Sequence, residues 1–496
     1  MNSSTSRLQN RKAPVFLLFV NRMLLLALLL DLLFMGYCIL TGFPPRLAGH
    51  ALKLKNLRTP FVLSMVFFSG WLALRPEGGR KSLLDFKRAA EGFAAKPYSV
   101  WVVFGVAALL FTWQQVSEYL AVEINFLPFS FFDYMLYYYF HGHIHFTGLL
   151  HNYYHVNNIL FLFAPFWKIF QSPWLLVLSH GVIGALSVFP LYIFAKEKFR
   201  ESLPALFTAI LYLNYRYLQN VLQMNFCPEI FYPLFIFWTV ASAIKGQWFF
   251  YYLALGLGLL VKEDSFLYFS AVGVWVLFLS PKTGKRTAIF HGALTVLMAV
   301  AYSIFTTRVF MPWTGNTLLK GDLSNFGSRS ESEPEILAYA GPVIPFVFIA
   351  FVSGVSRLMV KLPSKRREWV LWGVMLLLLG LNGGNYRTEK VTAETLASIR
   401  WAKKVPPDTN LVTHGHLLPY VGYRKQNYFF AGPFELPSHR AHLKYVSADY
   451  YLIDRTVNPY PMDSAYFDAK IQSLKDSPGY ELVLQDSKRF LFRRKK

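Results

Sequence analysis

From about residue 15 to residue 382 the chain alternates long apolar runs with short polar or basic breaks, and the runs are helix-length blocks without strict two-residue alternation. Crossing the roughly 30 Å hydrocarbon layer takes about 20 residues of helix. Eleven runs are candidate spans: 15–41, 59–75, 98–118, 174–194, 203–220, 230–244, 247–262, 265–280, 287–308, 337–358 and 368–382. With no water to serve their backbones they predict a transmembrane helix bundle. Some of the middle runs are short, which points to a thinned region around a cavity or to ends drawn too tightly. The run "NNILFLFAPFWKIF" (157–170) is shorter still, so it is expected to lie along or dip into the membrane without crossing.

After residue 382 the pattern changes to short apolar runs separated by turn residues. "TAETLASIRWAKKV" (392–405) predicts an amphipathic helix, and "YELVLQDSKRFLFRR" (480–494) predicts a hairpin pivoting on Asp486 and Ser487. The expected fold is therefore mainly α, a polytopic helix bundle followed by a small α/β domain. The division is 1–97 for the first spans and a cytoplasmic loop, 98–382 for the core with a large outer loop at 119–173, and 383–496 for the soluble domain.

Composition agrees, with 54% hydrophobic and 16% charged residues and a mean hydropathy of +0.32. The net charge of +22 does not indicate nucleic acid, because the basic residues form short clusters between apolar runs. Arg7, Arg11 and Lys12, then Arg75, Arg80, Lys81, Lys87 and Arg88, then "KEKFR" (196–200), "PKTGKR" (281–286) and "KLPSKRR" (361–367), read as cytoplasmic loops facing anionic lipid head groups. The N-terminus is then inside, the first span is retained, and eleven crossings place the C-terminal domain outside. Arg46, Lys53, Lys55 and Arg58 run against this assignment. Cys38 and Cys227 lie in apolar surroundings and make no disulfide framework.

On that topology the polar residues that a membrane disfavours fall on the outer side. Asp133 opens the stretch "DYMLYYYFHGHIHFTGLLHNYYH", which also holds His141, His143, His145, His151 and His155. Such histidines suit a divalent metal by residue type, but no completing cysteine or acidic set accompanies them, and interfacial hydrogen bonding is the plainer use. Arg216, Asn225 and Glu229 cluster in "NYRYLQNVLQMNFCPEIF" (214–231), where Glu229 follows a proline and equally well caps a helix. Lys262, Glu263 and Asp264 stand in a row between two apolar arms; an ordinary solvated turn contains as much. Together they suggest a binding or reaction cavity at the outer face.

The stretch "HNYYHVNNILFLFAPFWKIFQSPWLLVLSHGVIGALSVFPLYIFAKEKF" (151–199), with "MNFCPEIFYPLFIF" (224–237) and "LLVKEDSFLYF" (259–269), resembles the bacterial and archaeal membrane family grouped as domain of unknown function 2079 (DUF2079). The resemblance covers roughly residues 125–490, and that family looks like the GT-C glycosyltransferases that use polyprenyl-phosphate sugars. It implies a cell-envelope enzyme of the cytoplasmic membrane, with Asp133 acting on an acceptor of unknown identity and His155 matching the histidine ahead of the dipping helix. The family shows Asp-Phe-His where this chain has Asn225, Phe226 and Cys227, while Glu229 remains; this departure leaves the role of the second outer loop open. Lys262 and Arg216 are the implied partners of the donor phosphate, with Glu263, Asp264, Glu229 and Asn225 around the substrate. A transporter or flippase of a lipid-linked or small polar substrate, and a non-enzymatic assembly protein, are the rival readings.

Overall fold

The computed structural model describes residues 4–43, 46–47, 50–51, 54, 56–73, 79–123, 132, 136, 156–224, 226–278, 284–313, 341–384, 386–407, 409–421, 427–429, 448–458 and 463–495. Each of the eleven expected spans coincides with helix. In chain order these are α1 (Ser4–Thr41), α2 (Arg58–Ala73), α4 (Ser99–Ala121), α6 (Trp174–Leu186) running into α7 (Val188–Phe199), α8 (Ser202–Leu213), α10 (Phe231–Lys245), α11 (Trp248–Leu259), α12 (Ser265–Leu277), α13 (Lys285–Phe305), α14 (Ile344–Lys361) and α15 (Ser364–Asn382). Among the described residues, Leu18–Thr41, Ser99–Ala121, Trp174–Phe199, Lys285–Phe310 and Ile344–Lys361 are each long and apolar enough to cross a bilayer unaided. The chain is an integral membrane protein. Much apolar side-chain surface is exposed along these helices, as at Leu33, Leu40 and Leu109, which suits lipid as the solvent.

Two details depart from the expected pattern and a third agrees with it. The basic stretch after the second span is not merely a loop: Gly79–Ala94 forms α3, an amphipathic helix. The expected span 203–220 breaks at Asn214, whose side-chain amide donates to the Ile210 carbonyl at 2.9 Å, and the chain restarts as the short α9 (Arg216–Leu222). Residues 158–162 make a 3-10 turn followed by α5 (Ala164–Phe170), about 10 Å of helix at 1.5 Å per residue, too short to cross.

Small residues let the helices close on one another. A Cβ on Gly181 would lie 2.5 Å from the Thr112 backbone nitrogen, so α6 crosses α4 with the two backbones in contact. Gly273 of α12 and Gly292 of α13 face each other in the same way, a Cβ on either falling within 2.9 Å of the other's carbonyl oxygen.

The C-terminal part is α/β, as expected. Strands β3 (Leu411–Thr413), β4 (Asn427–Phe429), β5 (Tyr450–Asp454), β6 (Tyr480–Gln485) and β7 (Arg489–Arg494) form a mixed sheet in the order β4-β3-β5-β7-β6, with β3 parallel to both neighbours. A two-residue hairpin, β1 (Arg46–Leu47) with β2 (His50–Ala51), precedes α2. The β6–β7 hairpin turns where expected, because Asp486 accepts from the backbone amides of Lys488 and Arg489 at 2.8 and 2.7 Å. Helix α16 (Ala393–Ala402) starts at a reciprocal Thr392–Thr395 cap, and α17 (Ser464–Asp476) starts at Asp463. A buried pair, Arg489 Nε to Asp454 Oδ2 at 2.8 Å, joins β7 to β5, and the same guanidinium reaches the Glu394 carbonyl of α16.

The sheet domain stands on one end of the bundle. Tyr420 donates to the Tyr119 carbonyl at the end of α4, Glu389 N to Ser117 Oγ at 3.0 Å, and Phe43 N, just past α1, to the Thr388 carbonyl at 2.9 Å. Tyr119 also packs against Trp174, the first residue of α6, at 4.7 Å between rings. The end of α4 and the start of α6 therefore lie at the same end of the bundle.

Candidate functional site

Three connections meet at the end of the bundle: the segment 156–163, the chain from α9 through Pro228–Ile230 into α10, and the α11–α12 turn. Lys262 and Glu229 bind them together. Lys262 Nζ lies 3.0 Å from Glu229 Oε1, and the lysine side chain is 2% exposed. Sequence reasoning left Glu229 as either a helix cap or a site residue; α10 has no side-chain cap, and the carboxylate is spent on Lys262.

The row Lys262-Glu263-Asp264 is equally committed, so it is no solvated hairpin tip. Asp264 Oδ1 accepts from Tyr232 OH at 2.6 Å, and Tyr232 OH also lies 3.0 Å from Ser265 Oγ. Ser265 Oγ closes the turn by accepting from Lys262 N at 3.1 Å and donating to its carbonyl. Glu263 Oε2 accepts from Val156 N at 2.9 Å, and Ile159 N donates to the Leu260 carbonyl at 2.7 Å, which ties the 156–162 segment to the same turn. Burial raises the Asp264 carboxyl above its usual value, the charge of Lys262 and the Tyr232 hydroxyl pulling the other way.

Beside this group sits an aromatic hub. Phe226 meets Phe132 and Phe163 edge-on at 5.6 Å each, and His180 at 5.8 Å. His180, fully buried in α6, accepts from Cys227 N at 3.4 Å through Nδ1 and faces the Val221 carbonyl through Nε2.

Arg216 lies elsewhere: it is exposed, with its guanidinium 5.2 Å over the Tyr217 ring, and no bond among the described residues joins it to Lys262. Asp133, Asn225, His141, His143, His145, His151 and His155 lie outside the described residues; Phe132, which precedes Asp133, is the described neighbour. Among the described residues no three His, Cys, Asp or Glu side chains gather as metal ligands.

Residues 124–338 match a family of predicted membrane proteins, DUF2079. The match spans the loops and helices that build this cluster and stops well short of the C-terminal sheet domain, so it is narrower than the resemblance read from the sequence. No curated protein matches the chain.

Sequence reasoning missed several polar residues at this end. Gln114, Gln115, Ser117 and Glu118 are all buried in α4, and Gln115 donates to the Leu222 carbonyl. Their signal was present as four polar residues inside an apolar run, as was the lone histidine in "WLLVLSHGVIGAL". Close by, Arg387 pairs with Glu389 at 2.6 Å. Burial raises the carboxyls of Glu389 and Glu123, and the Arg387 charge opposes it in both.

Proposed function

We infer that the protein is an inverting glycosyltransferase that moves a sugar from a polyprenyl-phosphate donor to an acceptor hydroxyl at the outer face of a bacterial or archaeal cytoplasmic membrane. The observation that supports this most is one-sidedness. Glu229, Tyr232, Lys262, Glu263 and Asp264 interlock at the end of the bundle that carries the sheet domain. The helix ends opposite carry Lys196, Lys198, Lys245, Lys285, Arg286 and Lys361. Under the positive-inside rule this asymmetry supports a cytoplasmic opposite end, with the N-terminus inside and the cluster and sheet domain outside. An alternating-access transporter would need its polar groups near the midplane instead.

In this reading Asp133 is the general base. The acceptor oxygen attacks the sugar C1 as Asp133 takes its proton, the bond from C1 to the phosphate oxygen breaks, and polyprenyl phosphate leaves with the bonding electrons. Phe132, its neighbour in sequence, packs on Phe226, three residues before Glu229. Lys262, paired and buried, holds the turn in register, and Arg216 is the exposed cation for the donor phosphate. His155 and Asn225 are assigned to substrate contacts.

The test is to incubate purified protein in lipid nanodiscs with a panel of polyprenyl-phosphate sugars and follow released polyprenyl phosphate. Asp133→Asn should lower turnover by about 10²–10⁴-fold while melting temperature and donor binding stay near wild type. Release from no donor, or full turnover in Asp133→Asn, refutes the reading.

A further inference from the structure

The end of the bundle away from the sheet domain has polar side chains of its own. α6 starts beside Tyr119 at the sheet-domain end and runs through α7 to this other end, where α8 begins at Ser202. α3 lies against the start of α8 here. It is amphipathic: Phe86 packs edge-on against Phe68 of α2 at 5.3 Å, while Lys81, Asp85 and Arg88 are exposed, the pattern of a helix lying in the head-group layer.

Between α3, α8 and α15 is a cleft of about 30 Å³, room for one or two groups the size of water. Its two sides differ in kind. Leu203 and Phe207 of α8 and the buried Met375 of α15 make an apolar side. Lys87 and Glu91 of α3, with Glu201 just before α8, make a polar one. Lys87 Nζ lies 3.5 Å from Glu91 Oε1, the lysine largely covered and the glutamate half-exposed. Glu201 holds the N-cap position of α8, yet its carboxylate makes no cap bond and engages no partner among the described residues.

The cleft thus offers one cation, two carboxylates and an apolar wall at head-group depth. A purely anionic lipid would meet an excess of negative charge there, whereas a zwitterion satisfies both signs. We propose that the cleft holds the head group of a phospholipid bearing a primary ammonium, phosphatidylethanolamine by class. The ammonium donates to Glu91 and Glu201, the phosphate meets Lys87 and the first amides of α8, which no side chain caps, and an acyl chain follows Leu203 and Phe207. Size adds to charge. A primary ammonium brings three N–H donors and fits a cleft of this volume, while a trimethylammonium brings none and is much bulkier. The site stands apart from the glycosyltransferase reading, because it lies at the other end of the bundle from the Lys262–Glu229 cluster.

The experiment is native mass spectrometry of the full chain in detergent micelles, titrated with equal amounts of phosphatidylethanolamine, phosphatidylcholine and phosphatidylglycerol of matched acyl chains. Wild type, Glu201→Gln, Glu91→Gln and the control Glu394→Gln in the sheet domain are compared, with melting curves to establish that each is folded. Among the first lipids retained, the ethanolamine lipid should exceed each of the others about fivefold, the scale of one well-placed ion pair at a partly exposed site. Glu201→Gln and Glu91→Gln should each remove most of that preference, and Glu394→Gln should keep it. Equal retention of the ethanolamine and choline lipids, a preference for the glycerol lipid, or an ethanolamine preference that survives in both cleft variants overturns the site.

Discussion

The Glu229–Lys262 pair invites a double-mutant cycle, because its partners come from connections 33 residues apart and both are largely removed from solvent. At an effective dielectric of about 20, unit charges separated by the observed 3.0 Å attract by about 5–6 kcal/mol. The cost of desolvating both ions cancels much of this, so the pair itself contributes little net stability. Breaking it is different. Glu229→Gln strands an ammonium that is 2% exposed, at a cost of about 3 kcal/mol, the low end of the usual range because Asp264 and Glu263 stay beside it. Lys262→Met leaves three neighbouring carboxylates without their cation and should cost about 3–5 kcal/mol.

The double variant Glu229→Gln/Lys262→Met removes both charges and fills the lysine's volume with an apolar chain. It should recover to within about 1 kcal/mol of the native protein. Unfolding free energies would be measured in mixed micelles by tryptophan fluorescence. Independent sites add to within about 0.5 kcal/mol, so a double variant as destabilised as the two single losses combined would refute the claim that this pair ties the α11–α12 turn to the start of α10.

The sheet domain and the helix crossings give two further tests. His414 is buried, stacks on Phe467 at 4.2 Å and accepts from Asp454 N at 3.1 Å; burial holds it down to about 4, the Asp454 charge opposing this. The unfolded chain takes up this proton below about pH 6.5, so the contribution is complete above that value, is lost as pH falls to about 4, and amounts to about 3 kcal/mol. Hydrogen exchange at the Thr413 and Asp454 amides, corrected for intrinsic rates, should show that loss of protection, and His414→Gln should abolish it. At the α4–α6 crossing, Gly181→Ala puts a methyl 2.5 Å from backbone and should destabilise by about 1–3 kcal/mol, while Gly92→Ala, with nothing within 4 Å, should be neutral or slightly stabilising; equal melting temperatures for the two would refute the close crossing.

Helix existence was legible because an apolar run of spanning length has few other folds in a membrane. Its punctuation was less so. The α8–α9 break falls where Tyr215 turns extended after Asn214, and no breaker residue marks it, while α3 reads as a basic loop because its charges outweigh its periodicity. The hairpin at Asp486 was readable for the opposite reason, since its turn is written in adjacent residues. At the candidate site, residue types were visible and partnerships were not. The sequence marks Lys262 as an ionisable residue near a membrane surface, but whether it faces phosphate or Glu229 depends on how α10 and α11 pack.

That partnership changes the electrostatics of the proposed reaction. With Lys262 neutralising Glu229, the remaining charged groups of the turn are Glu263 and Asp264, so the group as a whole is not a phosphate attractor. Its acceptors suit hydroxyl protons, which is what an attacking acceptor or a glycosyl ring presents. The donor phosphate then has to meet its positive charge away from the turn. Arg216 is exposed at the start of α9, whose chain leads on to Glu229 in the Pro228–Ile230 turn, and guanidinium geometry matches a phosphate in two contacts.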